Sequence, residues 1–103
     1  MRIQYLDDVE EFIESLEAMQ IAKVGKTVEL LEELGNTLSM PHSKPLGGGL
    51  FELRIHGDES VRIFYCFQNG CALLLHAVKK KSQAIPAHEL ATARKKLALL
   101  ASL

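Results

Sequence analysis

The chain has 103 residues, of which 48% are hydrophobic and 24% charged, with a formal net charge of −1. Those values describe one ordinary globular domain, spanning residues 1–103, with room for a single hydrophobic core and not for two. No apolar run reaches the roughly 18 residues of a membrane span, and Met1 leads into strand-like and then acidic sequence rather than a secretory leader, so a cytoplasmic protein without membrane association is expected.

Residues 1–6 (MRIQYL) alternate weakly and fit an edge strand. Asp7 or Asp8 is suited to cap a helix, because a side-chain oxygen there can accept from the free amides of the first turn, and Glu10 and Glu11 complement the helix dipole. Val9, Phe12, Ile13 and Leu16 give that helix an apolar stripe. A second helix is expected from about Gln20 to Leu34, with Ile21, Val24, Val28, Leu31 and Leu34 facing inward and Gly35-Asn36 ending it. Gly25 weakens it at one position.

Residues 37–49 contain Pro41, Pro45 and three consecutive glycines and read as a loop. The triple glycine lacks a following Lys-Ser/Thr and leads into a strand rather than a helix, so it is not a phosphate-binding P-loop.

Residues 50–81 (LFELRIHGDESVRIFYCFQNGCALLLHAVKKK) alternate with period two in three runs, interrupted at HGDES and at Gln68-Asn69-Gly70. They predict an antiparallel three-stranded meander. Asn-Gly favours a type I′ hairpin turn, which places Gln68 opposite Cys71, Cys66 opposite Leu73 and Phe64 opposite Leu75. One face then carries Phe51, Leu53, Ile55, Val61, Ile63, Tyr65, Phe67, Ala72, Leu74, His76 and Val78, and is expected to bear the core. The other carries Glu52, Arg54, His56, Arg62, Phe64, Cys66, Gln68, Leu73, Leu75, Ala77 and Lys79, a mixed surface on which Arg54, Arg62 and Lys79 can converge. A bulge would exchange Lys79 for Lys80.

Cys66 and Cys71 fall diagonally on one face of this hairpin, about 7–8 Å apart, too far for a disulfide. Free thiols are expected, and two cysteines do not supply the four ligands of a structural zinc site. After the sheet, Pro86 suits a helix start, and Leu90, Ala93, Leu97 and Leu100 give a terminal helix one apolar stripe. The charge is unevenly spread: residues 1–49 hold nine acidic and four basic side chains, and residues 50–103 four acidic and eight basic. Such a split points to a basic working surface in the second half, or to solvated faces of no further significance.

Four stretches in order, Pro45 to Arg54 (PLGGGLFELR), Val61 to Tyr65 (VRIFY), Leu74 to Lys80 (LLHAVKK) and Pro86 through Glu89-Leu90 to Ala93 and Lys96, resemble the RelE superfamily of bacterial toxins, in particular its phage-derived HigB-like branch. The similarity covers residues 44–96. It implies an α+β, RelE-like fold with two N-terminal helices packed on a small antiparallel sheet of three to four strands and a C-terminal helix. It also implies the toxin of a type II toxin-antitoxin system, an endoribonuclease that cuts messenger RNA on the ribosome without metal or cofactor, by attack of a ribose 2′-hydroxyl on the adjacent phosphate. Its partners would be the ribosome, the message and a cognate helix-turn-helix antitoxin; a homodimer is also compatible with the sequence.

On that resemblance Arg62 matches the phosphate-stabilising arginine, and Arg54 and Lys80 match other basic positions, with Lys79 and Lys81 beside them for RNA binding. His56 and Glu52 share the working face and are the candidates for proton transfer, with Glu52 also at the phosphate. His76 and Tyr65 fall on the core face. The plainer account of the cations is a solvated sheet face with Arg54 paired to Glu52 or to a helix carboxylate. An alternative function is a catalytically inactive RelE-fold module that binds within an antitoxin and operator complex, and a third is an oligomeric scaffold.

Overall fold

A computed structural model describes residues 1–57, 60–80 and 84–102. The first strand, β1 (Arg2–Tyr5), is followed by α1 (Asp7–Glu14) and α2 (Ala18–Leu34). Helix α1 is not capped by an aspartate side chain. Leu6 is its cap residue, its carbonyl accepting from the amides of Val9 and Glu10 at 3.0 and 3.1 Å, while Asp7, Asp8 and Glu10 occupy the first turn, where carboxylates complement the dipole. Gly35 ends α2 at φ +54°, a backbone region that favours glycine. The inward stripe of α2 is narrower than expected: Val24, Val28 and Leu31 are buried, but Ile21 and Leu34 are 37% and 46% exposed.

With β2 (Ser43–Gly47), β3 (Leu50–Ile55), β4 (Ser60–Gln68) and β5 (Cys71–Lys80), the sheet has five strands among the described residues rather than three or four, in the order β1-β5-β4-β3-β2. Strands β3, β4 and β5 form the expected meander. The hairpin turn has Asn69 at φ 53° and Gly70 at φ 76°, both positive as a type I′ turn requires. Strand β1 adds parallel to β5, making the sheet mixed. A fifth strand, β2 (Ser43–Gly47), pairs antiparallel with β3 where a loop was expected, and its register shifts between Pro45 and Gly47. Pro45 is tolerated because β2 is an edge strand, where a missing amide breaks no central ladder.

The β4–β5 hairpin follows the expected register from Gln68–Cys71 up to Tyr65–Leu74, then jumps so that Phe64 faces His76. Leu75 is therefore an extra residue, a β-bulge, and every side chain after it changes face. His76 and Val78 move to the second face, and Ala77 and Lys79 to the first, reversing the assignment made from strict alternation.

Both faces of the sheet are covered. Helices α1 and α2 lie on the first, over Leu53, Ile55, Val61, Ile63, Tyr65, Ala72 and Leu74. On the second, α3 (Ala87–Ala101) lays Leu90, Ala93, Leu97 and Leu100 over Leu50, Phe64, Cys66, Leu73, Leu75 and Val78. This face was expected to be a shallow surface; α3 makes much of it a second core. Lys96 Nζ donates to the Leu75 carbonyl at 2.9 Å and to the Asp8 carboxylate, so the carbonyl of the bulge residue has a partner. Arg94 donates to the carbonyls of Gly47 and Leu46 at 3.1 and 2.9 Å and ties the same helix to the β2–β3 turn. Cys66 and Cys71 are buried free thiols. Among the described residues, no helix is long and apolar enough to cross a membrane.

Candidate functional site

The end of the second face nearest the start of β4 carries charge instead of apolar packing. Arg54 and Arg62 are directly opposed across β3 and β4, and Glu52 faces Phe64 two residues earlier on β3. Two like charges facing each other across a ladder repel. The Glu52 carboxylate offsets that repulsion: its Oε1 accepts from Arg54 Nε at 2.8 Å and lies 3.7 Å from Arg62 Nε. The Arg54–Glu52 pairing is the one expected of a plain solvated face, yet the cluster is not solvated, since Glu52 and Arg62 are each only 5% exposed. Arg54 sits at its rim, partly exposed.

Arg62 is underpartnered for its depth. Its Nη1 donates to the Val61 carbonyl at 3.2 Å, while its Nε is buried and makes no hydrogen bond among the described residues. Burial pushes the Arg62 guanidinium down from its ordinary value; Glu52 opposes that shift and Arg54 adds to it. Guanidinium still holds its proton in proteins, so a buried cation is left with one N–H lacking an acceptor. Leaving such a donor unmade costs roughly 1–3 kcal/mol, more for a charged group. An anion oxygen reaching Nε would remove that cost.

The other expected site residues divide by face. His56 follows β3 and is exposed, on the alternation that brings Glu52 and Arg54 to the second face. Lys80 closes β5 opposite Ser60 and, through the bulge, falls on the Arg62 side, since Val78 pairs with Arg62. Lys79 does not join them. It pairs with Val61 on the first face and lines a polar cavity of about 500 Å³ with Ser15, Gln20 and Lys23. Lys81 lies outside the described residues.

His76 belongs to the second face, contrary to the expectation that it faces the core beneath α1 and α2. Its ring stacks on Phe64 at 6.3 Å, and its Nε2 hydrogen-bonds Glu89 Oε1 of α3 at 3.1 Å. This pair was missed because the bulge that turns His76 over leaves no mark in a run of three leucines. Tyr65 is in the first core as expected, 1% exposed, with its hydroxyl 2.5 Å from Ser43 Oγ. Burial pushes the Tyr65 hydroxyl up, and the bond to Ser43 opposes that.

The arrangement can hold an oxyanion on two guanidinium groups. A carboxylate lies between them, and an imidazole and an ammonium belong to neighbouring positions of the same face. It has the parts needed to bind a phosphodiester and to move protons around it. The family described as Phage derived protein Gp49-like (DUF891) matches residues 11–98, most of the chain, and the chain belongs to it. It is a phage-derived toxin family of the RelE/HigB type. No curated protein matches the chain.

Proposed function

We propose that this member of the Gp49-like family is the toxin of a type II toxin-antitoxin system and acts as a ribosome-dependent endoribonuclease. The observation that carries the reading is the buried Arg62 Nε, without a hydrogen-bond partner among the described residues, beside Arg54 and Glu52 on one sheet face. A cationic donor held in place without an acceptor is pre-organised for an anion that arrives with the substrate, and needs little rearrangement when charge develops.

In the proposed reaction the ribose 2′-oxygen attacks the adjacent phosphorus. A P–O2′ bond forms and the P–O5′ bond breaks, leaving a 2′,3′-cyclic phosphate and a free 5′-hydroxyl. Arg62 and Arg54 hold the non-bridging oxygens, whose charge grows as phosphorus becomes five-coordinate. Lys80 adds positive charge at the end of β5. The 2′-hydroxyl proton passes to His56 or Glu52, and the departing 5′-oxygen takes a proton from a water molecule. The ribosome supplies the alignment of the message, and a helix-turn-helix antitoxin supplies the restraint.

Cleavage of a defined message by purified translating ribosomes, with the protein and with Arg62→Met, tests this. Methionine fills the buried stem without a cation. Cuts made by the native protein and lost in the variant support the reading; equal cutting by both refutes the role of Arg62.

A second reading, an inactive binding module in an antitoxin and operator complex, is favoured by one contact. Arg54 is already engaged by Glu52 at 2.8 Å, so part of the cationic pair is satisfied internally. In that case ribosomes leave the message intact whichever residue stands at position 62.

A further inference from the structure

On the opposite side of the molecule a groove of about 320 Å³ runs between β1, α1 and α2. Its apolar lining comes from Ile13 of α1 and from Ile21 and Val24 of α2, with Tyr5 of β1 as one wall. Tyr5 and Ile21 are 38% and 37% exposed, among the few large apolar side chains left open to solvent. Gly25 also lines it, and a Cβ placed there would meet no atom within 4 Å. The glycine therefore leaves open space beside α2 without being required by its backbone, which is helical there.

The charged residues lining the groove are both carboxylates, Glu10 and Glu14, one turn apart on α1. The negative charge also reaches the hydroxyl of Tyr5: burial raises its pKa, and Glu32 and then Glu10, but not Glu14, raise it further. An apolar slot between two helices, flanked by negative charge, has the chemistry of a helix-in-groove site.

We propose that this groove docks a cationic amphipathic helix of a partner protein. One bulky apolar side chain seats over Gly25 between Tyr5 and Ile21, and lysines or arginines a turn apart meet Glu10 and Glu14. Charge selects the occupant: an acidic or neutral helix would bury apolar surface but meet the carboxylates without compensation. The groove is built from β1, α1 and α2, whereas the arginine cluster lies on the other sheet face, so a helix bound here leaves Arg62 uncovered. The inference does not depend on the nuclease reading, because it is tested by binding alone.

The test uses the full chain, isotope-labelled, titrated with a synthetic helix of leucine and lysine whose leucines follow i, i+4, i+7 spacing. The same peptide with glutamate in place of lysine is the control. Saturable binding of the lysine peptide is expected, with the largest amide shifts at Tyr5, Ile13, Ile21 and Gly25. Gly25→Leu fills the slot without changing charge and is expected to weaken binding by about tenfold or more. Glu10→Gln with Glu14→Gln should weaken it independently. Unchanged affinity in Gly25→Leu would mean attraction of charge to an acidic surface and would overturn the proposal. So would shifts centred elsewhere, equal binding of the glutamate peptide, or no binding. A dimer of the free protein that Gly25→Leu dissociates would assign the groove to a second copy of this chain and overturn it too. Thermal unfolding of each variant confirms that it is folded, since position 25 accepts a side chain within a regular helix.

Discussion

Arg62 Nε stands 3.7 Å from Glu52 Oε1, near enough to feel the carboxylate and too far to hydrogen-bond it. The same oxygen is bonded to Arg54, so one carboxylate answers two cations and completes a bond with only one. Glu52→Gln keeps the shape and removes the charge, leaving two opposed guanidinium groups uncompensated at low exposure. Breaking a buried pair in this way costs about 3–5 kcal/mol. Urea unfolding should show a midpoint lowered accordingly, and an unchanged midpoint would mean that Glu52 does not hold the arginines together.

The bond from Lys96 to the Leu75 carbonyl gives a second prediction. Lys96→Met keeps the stem packed but leaves the bulge carbonyl without its partner, at a cost of roughly 1–3 kcal/mol. The same lysine sets a pH dependence through Asp8. Burial raises the Asp8 value, but the hydrogen bond and charge of Lys96 outweigh it and hold the carboxyl below its usual 3.8. A carboxylate depressed on folding contributes stability above its unfolded value and loses it as pH falls through the folded one. Acidification below about 3.8 should therefore remove part of the native stability, and Lys96→Met should remove that part of the acid sensitivity. The effect is small because Asp8 is largely exposed. Unfolding curves at several acidic pH values measure it.

Tyr65 offers a separation of structure from chemistry. Its hydroxyl meets Ser43 in the first core, on the face away from Arg62. Tyr65→Phe should lower stability by roughly 1–3 kcal/mol, because the buried Ser43 hydroxyl loses its partner, and should leave cleavage intact. Lost cleavage in a variant that remains folded would bring Tyr65 into the reaction.

The bulge makes neighbouring lysines unequal. Lys80→Ala should lower cleavage by about tenfold or more, the scale of one lost charge contact at a phosphate. Lys79→Ala acts on the opposite face, beside α2, and should leave cleavage largely as it was. Assaying both variants on one message checks this, and the reverse ranking would contradict the placement of Lys80 beside Arg62.

Where local chemistry decided the structure, the sequence was sufficient. Asn69-Gly70 demanded a tight turn with positive φ and set the first rungs of the hairpin, and period-two alternation placed Glu52, Arg54 and Arg62 on one face. The family stretches singled out the same residues. What escaped were features decided by tertiary pairing. Strand β2 contains Pro45 and ends in glycine, which read as a loop, and it is a strand because the free edge of β3 accepts it. The bulge adds one leucine among three alike, so nothing local distinguishes Leu75, yet it exchanges Lys79 for Lys80 and turns His76 towards Glu89. The apolar stripe of α3 was visible, but not that it would cover Phe64, Cys66 and Leu75 and confine the cationic cluster to one end of the face.

The most direct test of the nuclease reading is to induce the protein alone in bacteria and map new transcript 5′ ends, alongside Arg62→Met and Arg62→Lys variants shown to be folded. Cuts in phase with codons, lost in Arg62→Met, weakened in Arg62→Lys and suppressed by a co-expressed antitoxin, are the predicted result. Intact transcripts from abundant, folded native protein would contradict it and leave the arginine cluster to a binding role.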